Sequence, residues 1–319
     1  MAFPDQEWEL IPTETIKEVF DAVQTGRTPF GVVPFENSTH GTVTFTLDGL
    51  ADRTGAYASV AVCAEVYLDV HHFLLGHLPP PEPITTTTAA GNGIQSPGAS
   101  TPTGANPDPL HPHPRARPLV SLKHIARVYS HPQAFGQTAA FLATYLRGVD
   151  IVDVSSTSRA AAMVAADVSG TSAAIAGEIA AEANGLGVLA RCIEDQEDNV
   201  TRFFVIKRGE GERGEGERGE GSGEEYAGRY KSLVSFTVPH RTPGALADVL
   251  DAFRRAELNL TSINSLPSLD APFQYLFFVE FEGSRFGDPE GRVRGVFEVL
   301  EKVAQRWRWL GSWENQRRG

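Results

Sequence analysis

The chain has little cysteine: Cys63 and Cys192 are the only two in 319 residues. There is no Cys-x-x-Cys pair and no Cys/His cluster along the sequence, so neither a disulfide framework nor a metal site is expected. Two reduced, buried thiols in a cytoplasmic protein are the simplest account. Positive charge is also in deficit, with 28 Lys and Arg against 40 Asp and Glu and a formal net charge of -12. That balance argues against nucleic acid as a partner and offers no basic patch to a membrane. An anionic ligand must therefore be drawn in by local donors. No apolar run is long enough to span a bilayer. Residues 1–10 lack the basic and apolar regions of a secretory leader. Hydrophobic residues make up 41% of the chain. That supports a sizeable core, and the length suggests two or three domains.

Two stretches break the pattern. Residues 78–118 are rich in Pro, Thr, Gly, Ser and Ala and read as a linker or insertion that buries no core. His111 and His113, each between prolines, read as solvated. Residues 209–221, GEGERGEGERGEG, form a five-residue repeat too rich in glycine and charge to pack, hence a flexible linker.

Between these stretches the chain alternates strand, polar turn and helix. Ile16, Val19, Phe20 and Val23 share one helical face over 13–25, with Thr15 and Glu18 as a capping box and Gly26 as the stop. A buried strand at 30–34 leads to Glu36, Asn37 and Ser38, then to a helix over 39–50 entered through Gly41. Residues 64–75 read as one strand. A strand at 125–129 precedes a helix with Pro132 in its first turn and Ser130 near its N-cap. Ser130 and Gln133 beside that free N-terminus would suit an anion or a carbonyl. A strand at 151–154 runs into a hydroxyl-rich entry at 155–158, which includes Thr157, and an Ala-rich helix ending near Asp167. A strand at 173–176, a helix at 178–183 and a strand at 188–190 follow. The order predicts an α/β fold with a mostly parallel sheet.

Thr201 and Arg202 stand at the mouth of a strand at 203–206. A guanidinium fork and a movable hydroxyl make an anion-handling pair. The plain alternative is a β-forming threonine beside a solvated arginine. Beyond residue 229, strands at 233–238, 260–265, 274–282 and 307–313 and two amphipathic helices give the order β-α-β-β-α-β, a ferredoxin-like unit. In the third of these strands Tyr275, Phe277, Val279 and Phe281 alternate with Glu280 and Glu282, which predicts the two acids on the solvent side.

Four motifs together carry a resemblance: GVVPFENS at Gly31–Ser38, SHPQ at Ser130–Gln133, SST at Ser155–Thr157 and TRF at Thr201–Phe203. In this order and spacing the chain resembles the prephenate dehydratases, and residues 229–319 resemble the ACT regulatory domain fused to them. The resemblance implies two lobes like those of a periplasmic binding protein, with the site in the cleft between them. The catalytic domain would be 1–208, with lobe one at 1–77 plus 199–208 and lobe two at 119–198. The linker would be 209–228. The implied reaction converts prephenate to phenylpyruvate, with loss of water and carbon dioxide, in phenylalanine synthesis, without a cofactor or metal. Thr201 would face the leaving hydroxyl as a hydrogen-bond donor. Arg202, Ser130 and Gln133 would hold carboxylate or carbonyl oxygens, with Phe203 and Thr157 in the same motifs. Asn37 and Ser38 would approach from the other lobe, and Glu36 would be a proton source or an orienting group. Gly244, Ala245 and Leu246, with Asn264, Ser265 and Pro267, would form an effector site for L-phenylalanine. Leu266 stands where the family usually has arginine. A homodimer or homotetramer is implied. Arogenate as substrate, and a non-catalytic amino-acid-binding protein on the same scaffold, stay open. The family's first strand and its Gly-Pro-x-Gly-Thr-Phe-Ser turn have no counterpart before residue 11. Without them a sheet edge would be open and ligand contacts missing, which implies an inactive or unstable form.

Overall fold

The computed structural model describes residues 7–79, 114–209, 229–239 and 241–317. The repeat linker at 210–228, most of the Pro/Thr-rich stretch, His111 and His113 lie outside them. The chain divides into two compact units, residues 1–68 with 200–319 and residues 69–199.

The first unit begins with α1 (Ile16–Gln24), where Thr15 Oγ1 accepts the Glu18 amide as the capping box requires. β1 (Phe30–Asn37) follows, then β2 (Gly41–Thr42), α2 (Thr44–Ala51) and β3 (Val60–Asp69). With β9 (Val200–Arg208) they form a sheet of order β2-β1-β9-β3. The helix expected over 39–50 is thus a short strand and a helix. Asn37 Oδ1 accepts from the Thr39 and His40 amides and turns the chain back on itself. β1 runs antiparallel to both β2 and β9, so the expectation of a mostly parallel sheet fails here. The reason is that β9 returns from the second unit and joins β1 in the opposite sense.

The same unit holds the C-terminal β-α-β-β-α-β element: β10 (Tyr230–Thr237), α7 (Ala245–Arg255), β11 (Leu260–Pro267), β12 (Tyr275–Glu282), α8 (Arg292–Val303) and β13 (Arg306–Glu314). Its sheet order is β11-β12-β10-β13, antiparallel throughout. One face packs on α7 and α8 through Val234, Phe236, Val279 and Phe281. The other packs on the first sheet: Leu233, Leu276, Phe278, Leu310 and Trp313 share one core with Phe20, Val33, Phe35, Phe204 and Ile206. Double-sided burial explains why all eight residues of β10 are buried. It also corrects the reading of β12, because Glu280 is fully buried.

The second unit has a sheet of order β6-β5-β7-β4-β8, with β4 (Phe73–Gly76), β5 (Arg127–Ser130), β6 (Asp150–Asp153), β7 (Ser172–Ala176) and β8 (Gly187–Ala190). β5 is parallel to β6 and β7, whereas β4 is antiparallel to β7 and β8. The run 64–75 is therefore two strands in two sheets, and residues 69–77 belong with the second unit instead of with lobe one. The helices are α3 (Pro132–Gln137), α4 (Ala139–Tyr145), α5 (Thr157–Ala165) and α6 (Glu178–Asn184). Before β5 the chain is packed: Ala116 and Val120 rest on the core of Leu122, Val128 and Phe141. Core contact thus starts inside the stretch expected to bury nothing.

Candidate active site

In the first unit the candidate residues gather at one end of the β1–β9 ladder. Asn37 lies opposite Thr201 and Glu36 opposite Arg202, and a register shift between Pro34 and Glu36 leaves Phe35 as the extra residue of a bulge. A bulge bends its strand and re-aims the side chains beside it. Pro34 offers no amide to a ladder, and its carbonyl takes the Thr46 hydroxyl at 2.6 Å. Asn37 Nδ2 donates to Thr201 Oγ1 at 3.0 Å. Ser38 closes the ladder end: its amide donates to the Val200 carbonyl and its hydroxyl accepts the Val200 amide, both at 2.9 Å. An Oγ1 that accepts from Asn37 keeps its own proton for another oxygen. Among the described residues no acceptor takes that proton. Thr201 and Arg202 are inside β9, not before it, and Phe203 is half-buried opposite Pro34.

Arg202 departs from expectation. It is buried, and its Nη2 lies 2.5 Å from carboxylate oxygens of both Glu65 and Glu280. Its Nη1 is 4.0 Å from Glu36. The guanidinium carbon stands 4.9 Å over the Phe204 ring and 5.3 Å over that of Phe35. Lys231 Nζ completes the cluster at 3.2 Å from Glu65 and 3.7 Å from Glu280. Burial works to lower the Arg202 pKa, but Glu280 and Glu65 outweigh it and hold the guanidinium above its ordinary range. An arginine paired in this way is committed to the protein, so the expected carboxylate clamp is not free in this arrangement. Glu65, Lys231 and Glu280 do not stand out in the sequence. The available signal was an acid or a lysine at an inward position of an otherwise apolar strand.

In the second unit Ser130, Gln133 and Thr157 come together at the carboxyl ends of β5 and β6, where α3 and α5 begin, the edge at which open α/β sheets bind ligands. Ser130 is not the helix cap. It is fully buried, and its hydroxyl donates to the Ile175 carbonyl at 2.7 Å. With its proton spent there, only acceptor capacity remains, which does not suit a carboxylate. His131 caps α3 instead, its Nδ1 accepting the Gln133 amide. The Gln133 side chain is exposed. Ser156 caps α5, and Thr157 is its half-buried first residue.

The cysteines also differ from expectation. Cys63 is half-buried and Cys192 exposed. Folding makes the Cys/His cluster that the sequence spacing hides: ligand atoms of His71, Cys192 and Glu194 lie within 4.8 Å of one another. Both Glu194 oxygens are engaged, one with His71 Nδ1 at 3.0 Å and one with the His72 amide at 2.9 Å. That pairing accounts for the buried carboxylate without an ion. No helix among the described residues is long and apolar enough to cross a membrane.

Strand ends that present amide, hydroxyl and carboxylate groups on an α/β frame, joined to a C-terminal β-α-β-β-α-β sheet, define an α/β protein with an appended β-α-β-β-α-β unit. Within it, a family model for prephenate dehydratase matches residues 1–89 and 112–211. The bifunctional chorismate mutase/prephenate dehydratase of Neisseria gonorrhoeae is 32% identical over 94% of this chain and 66% of its own length. The chain thus spans about two thirds of that relative. The prephenate dehydratase of Methanocaldococcus jannaschii is 27% identical over 88% of this chain and 80% of its own. Among solved structures, the Arthrobacter aurescens prephenate dehydratase in complex with L-Phe matches with a TM-score of 0.69 at 27% identity, over 96% of this chain and 81% of that one. The chain belongs to the prephenate dehydratase family.

Proposed function

We propose that the protein is a prephenate dehydratase, converting prephenate to phenylpyruvate with loss of water and carbon dioxide in phenylalanine synthesis, in the cytoplasm. The observation that carries this reading is the Asn37–Thr201 hydrogen bond, in which the threonine oxygen accepts and so keeps its own proton to donate. Breaking the carboxylate bond of prephenate sends an electron pair into the ring and expels the ring hydroxyl. The reaction is redox-neutral, because the electrons stay within the substrate. A threonine hydroxyl is too weak an acid to ionise, so Thr201 acts as an aimed donor to the departing oxygen. Ser38 and Asn37 hold the ladder end that carries it. Glu36, with a side chain 40% exposed beside Arg202, is placed to orient or to pass a proton.

The reading takes residues 229–319 as an ACT regulatory domain that binds L-phenylalanine. Support comes from the β-α-β-β-α-β order and from the L-Phe complex of the Arthrobacter relative. Gly244 opens α7 with φ of 85°, followed by buried Ala245 and half-buried Leu246. Asn264 is half-buried in β11, with Ser265 and Pro267 exposed. Leu266 packs on the core shared with the first sheet, so apolar burial occupies the place of the family's arginine. β11 is an edge strand with exposed Ile263, flanked by exposed Phe273 and Tyr275. An edge of that kind supports a homodimer or homotetramer.

The test is phenylpyruvate formation from prephenate by the full chain, beside Thr201→Ala. Turnover by the parent and a loss of about 10²–10³-fold in the variant are expected. A folded chain that forms no phenylpyruvate overturns the reading. Equal rates overturn the role given to Thr201.

A further inference from the structure

We infer that the C-terminal domain is part of the apparatus that aligns Thr201: Glu280 on β12 is a positioning residue that holds Arg202 and, through the strand they share, the Thr201 hydroxyl opposite Asn37. The rate effect rests on the dehydratase reading, whereas the structural effect does not.

Thr201 and Arg202 are consecutive in β9, so their side chains point to opposite faces of the sheet. One face presents the hydroxyl, and the other sends the guanidinium into the junction with the C-terminal sheet. There Arg202 Nη2 meets Glu280, which comes from a strand 78 residues away in sequence, at 2.5 Å. The cluster of Arg202, Lys231, Glu65 and Glu280 is buried, with side-chain exposures of 7, 6, 0 and 0%. Two cations balance two anions. Removing the Glu280 charge leaves the cluster one positive charge in excess; Lys231 can shed its proton to relieve it, whereas Arg202 keeps its charge and loses one of the two carboxylates on its Nη2. With that partner gone the guanidinium is held less tightly, and the end of β9 with it. A displacement of about 1 Å at a reacting group is enough to cost about 10²-fold in rate.

The C-terminal domain grips the same ladder end at a second point. Thr42 of β2, opposite Glu36, donates through Oγ1 to Asn264 Oδ1 on β11 at 2.8 Å. β11 also reaches Glu280 directly, where Thr261 Oγ1 donates at 2.5 Å. The strand proposed to meet the effector is therefore tied to both edges of the β2-β1-β9 ladder end.

The test compares Glu280→Gln with the parent in the full chain. Turnover should fall about 10- to 100-fold, with KM for prephenate within about twofold. In a Thr201→Ala background the same change should cost less than about threefold, because the hydroxyl it aligns is gone. Amide hydrogen exchange should quicken at residues 36–37 and 200–202 while residues 204–206 keep parent rates. Glu280→Asp, which keeps the charge and shortens the reach, should give the same changes to a smaller degree and serves if the Gln variant does not fold. Parent turnover in folded Glu280→Gln, or losses that multiply with Thr201→Ala, would overturn the inference. If the parent makes no phenylpyruvate, the dehydratase reading fails by itself and the exchange data decide: a local increase supports the alignment, and parent-like or uniformly raised exchange refutes it.

Discussion

Gly311 lies against the backbone of Val62 so closely that a Cβ on it would stand 2.0 Å from the Val62 carbonyl oxygen. Its φ of 147° already favours glycine, and the β10–β13 register shifts at this point, with Leu233 opposite Gly311 and Val234 opposite Trp309. The approach lets β13 seat on the first sheet. Beside it, Arg308 Nη2 donates to the carbonyls of Tyr57, Ala58 and Val60.

Gly311→Ala should therefore destabilise the first unit, by about 1–3 kcal/mol or more, because backbone cannot rotate away as a side chain would. Gly295 in α8 is the control, since a Cβ added there would meet nothing within 4 Å. There the same change should stabilise by up to about 1 kcal/mol. Urea unfolding of the two variants should give shifts of opposite sign, and two shifts of the same sign would refute the close-approach argument.

Ser130→Ala should act on stability first. The change leaves the Ile175 carbonyl, inside a fully buried strand, without its hydroxyl partner. The expected cost is about 1–3 kcal/mol, against a small change in KM for prephenate. Unchanged stability with a KM raised tenfold or so would return Ser130 to the substrate.

The thiols should separate by reactivity. Burial pushes Cys63 up to about 11. Burial and then the Glu194 charge raise Cys192, but it is exposed. At pH 8 a thiol reagent should label Cys192 in the folded chain and Cys63 only after unfolding. The linkage has a definite sign. Between the ordinary thiol range, about 8.5, and about 11, folded Cys63 holds a proton that the unfolded chain has released. Stability should thus fall as pH rises through that window, by up to about 1.4 kcal/mol per unit, and Cys63→Ser should flatten the slope. A slope unaffected by the substitution would exclude Cys63 as its source.

Much of the local structure was legible in the residues. α1 needed only a 3.6-residue apolar period and a Thr15–Glu18 box, and the C-terminal β-α-β-β-α-β order needed only alternation and turn residues. Such signals are short-range: each depends on side chains within a turn or a strand of one another. The four motifs Gly31–Ser38, Ser130–Gln133, Ser155–Thr157 and Thr201–Phe203 pointed to the family for a similar reason, as strand-end and helix-entry chemistry written in consecutive residues.

What only the tertiary structure decided is where charge and burial fall when two sheets share one core. Glu280 read as solvent-facing because alternation distinguishes two faces of a strand but does not say that both will be covered. Arg202 read as free for a ligand because its partners, Glu65 and Glu280, lie 137 residues before it and 78 after it. A buried carboxylate or a buried guanidinium alone carries a large desolvation cost, which their mutual attraction offsets only when geometry and further hydrogen bonds complete the pairing. The sequence by itself determined many of the elements and the family. Which ions meet, which hydroxyl is already spent and which strand joins which sheet followed from long-range packing, where the energy of each group depends on neighbours that the linear order does not bring near.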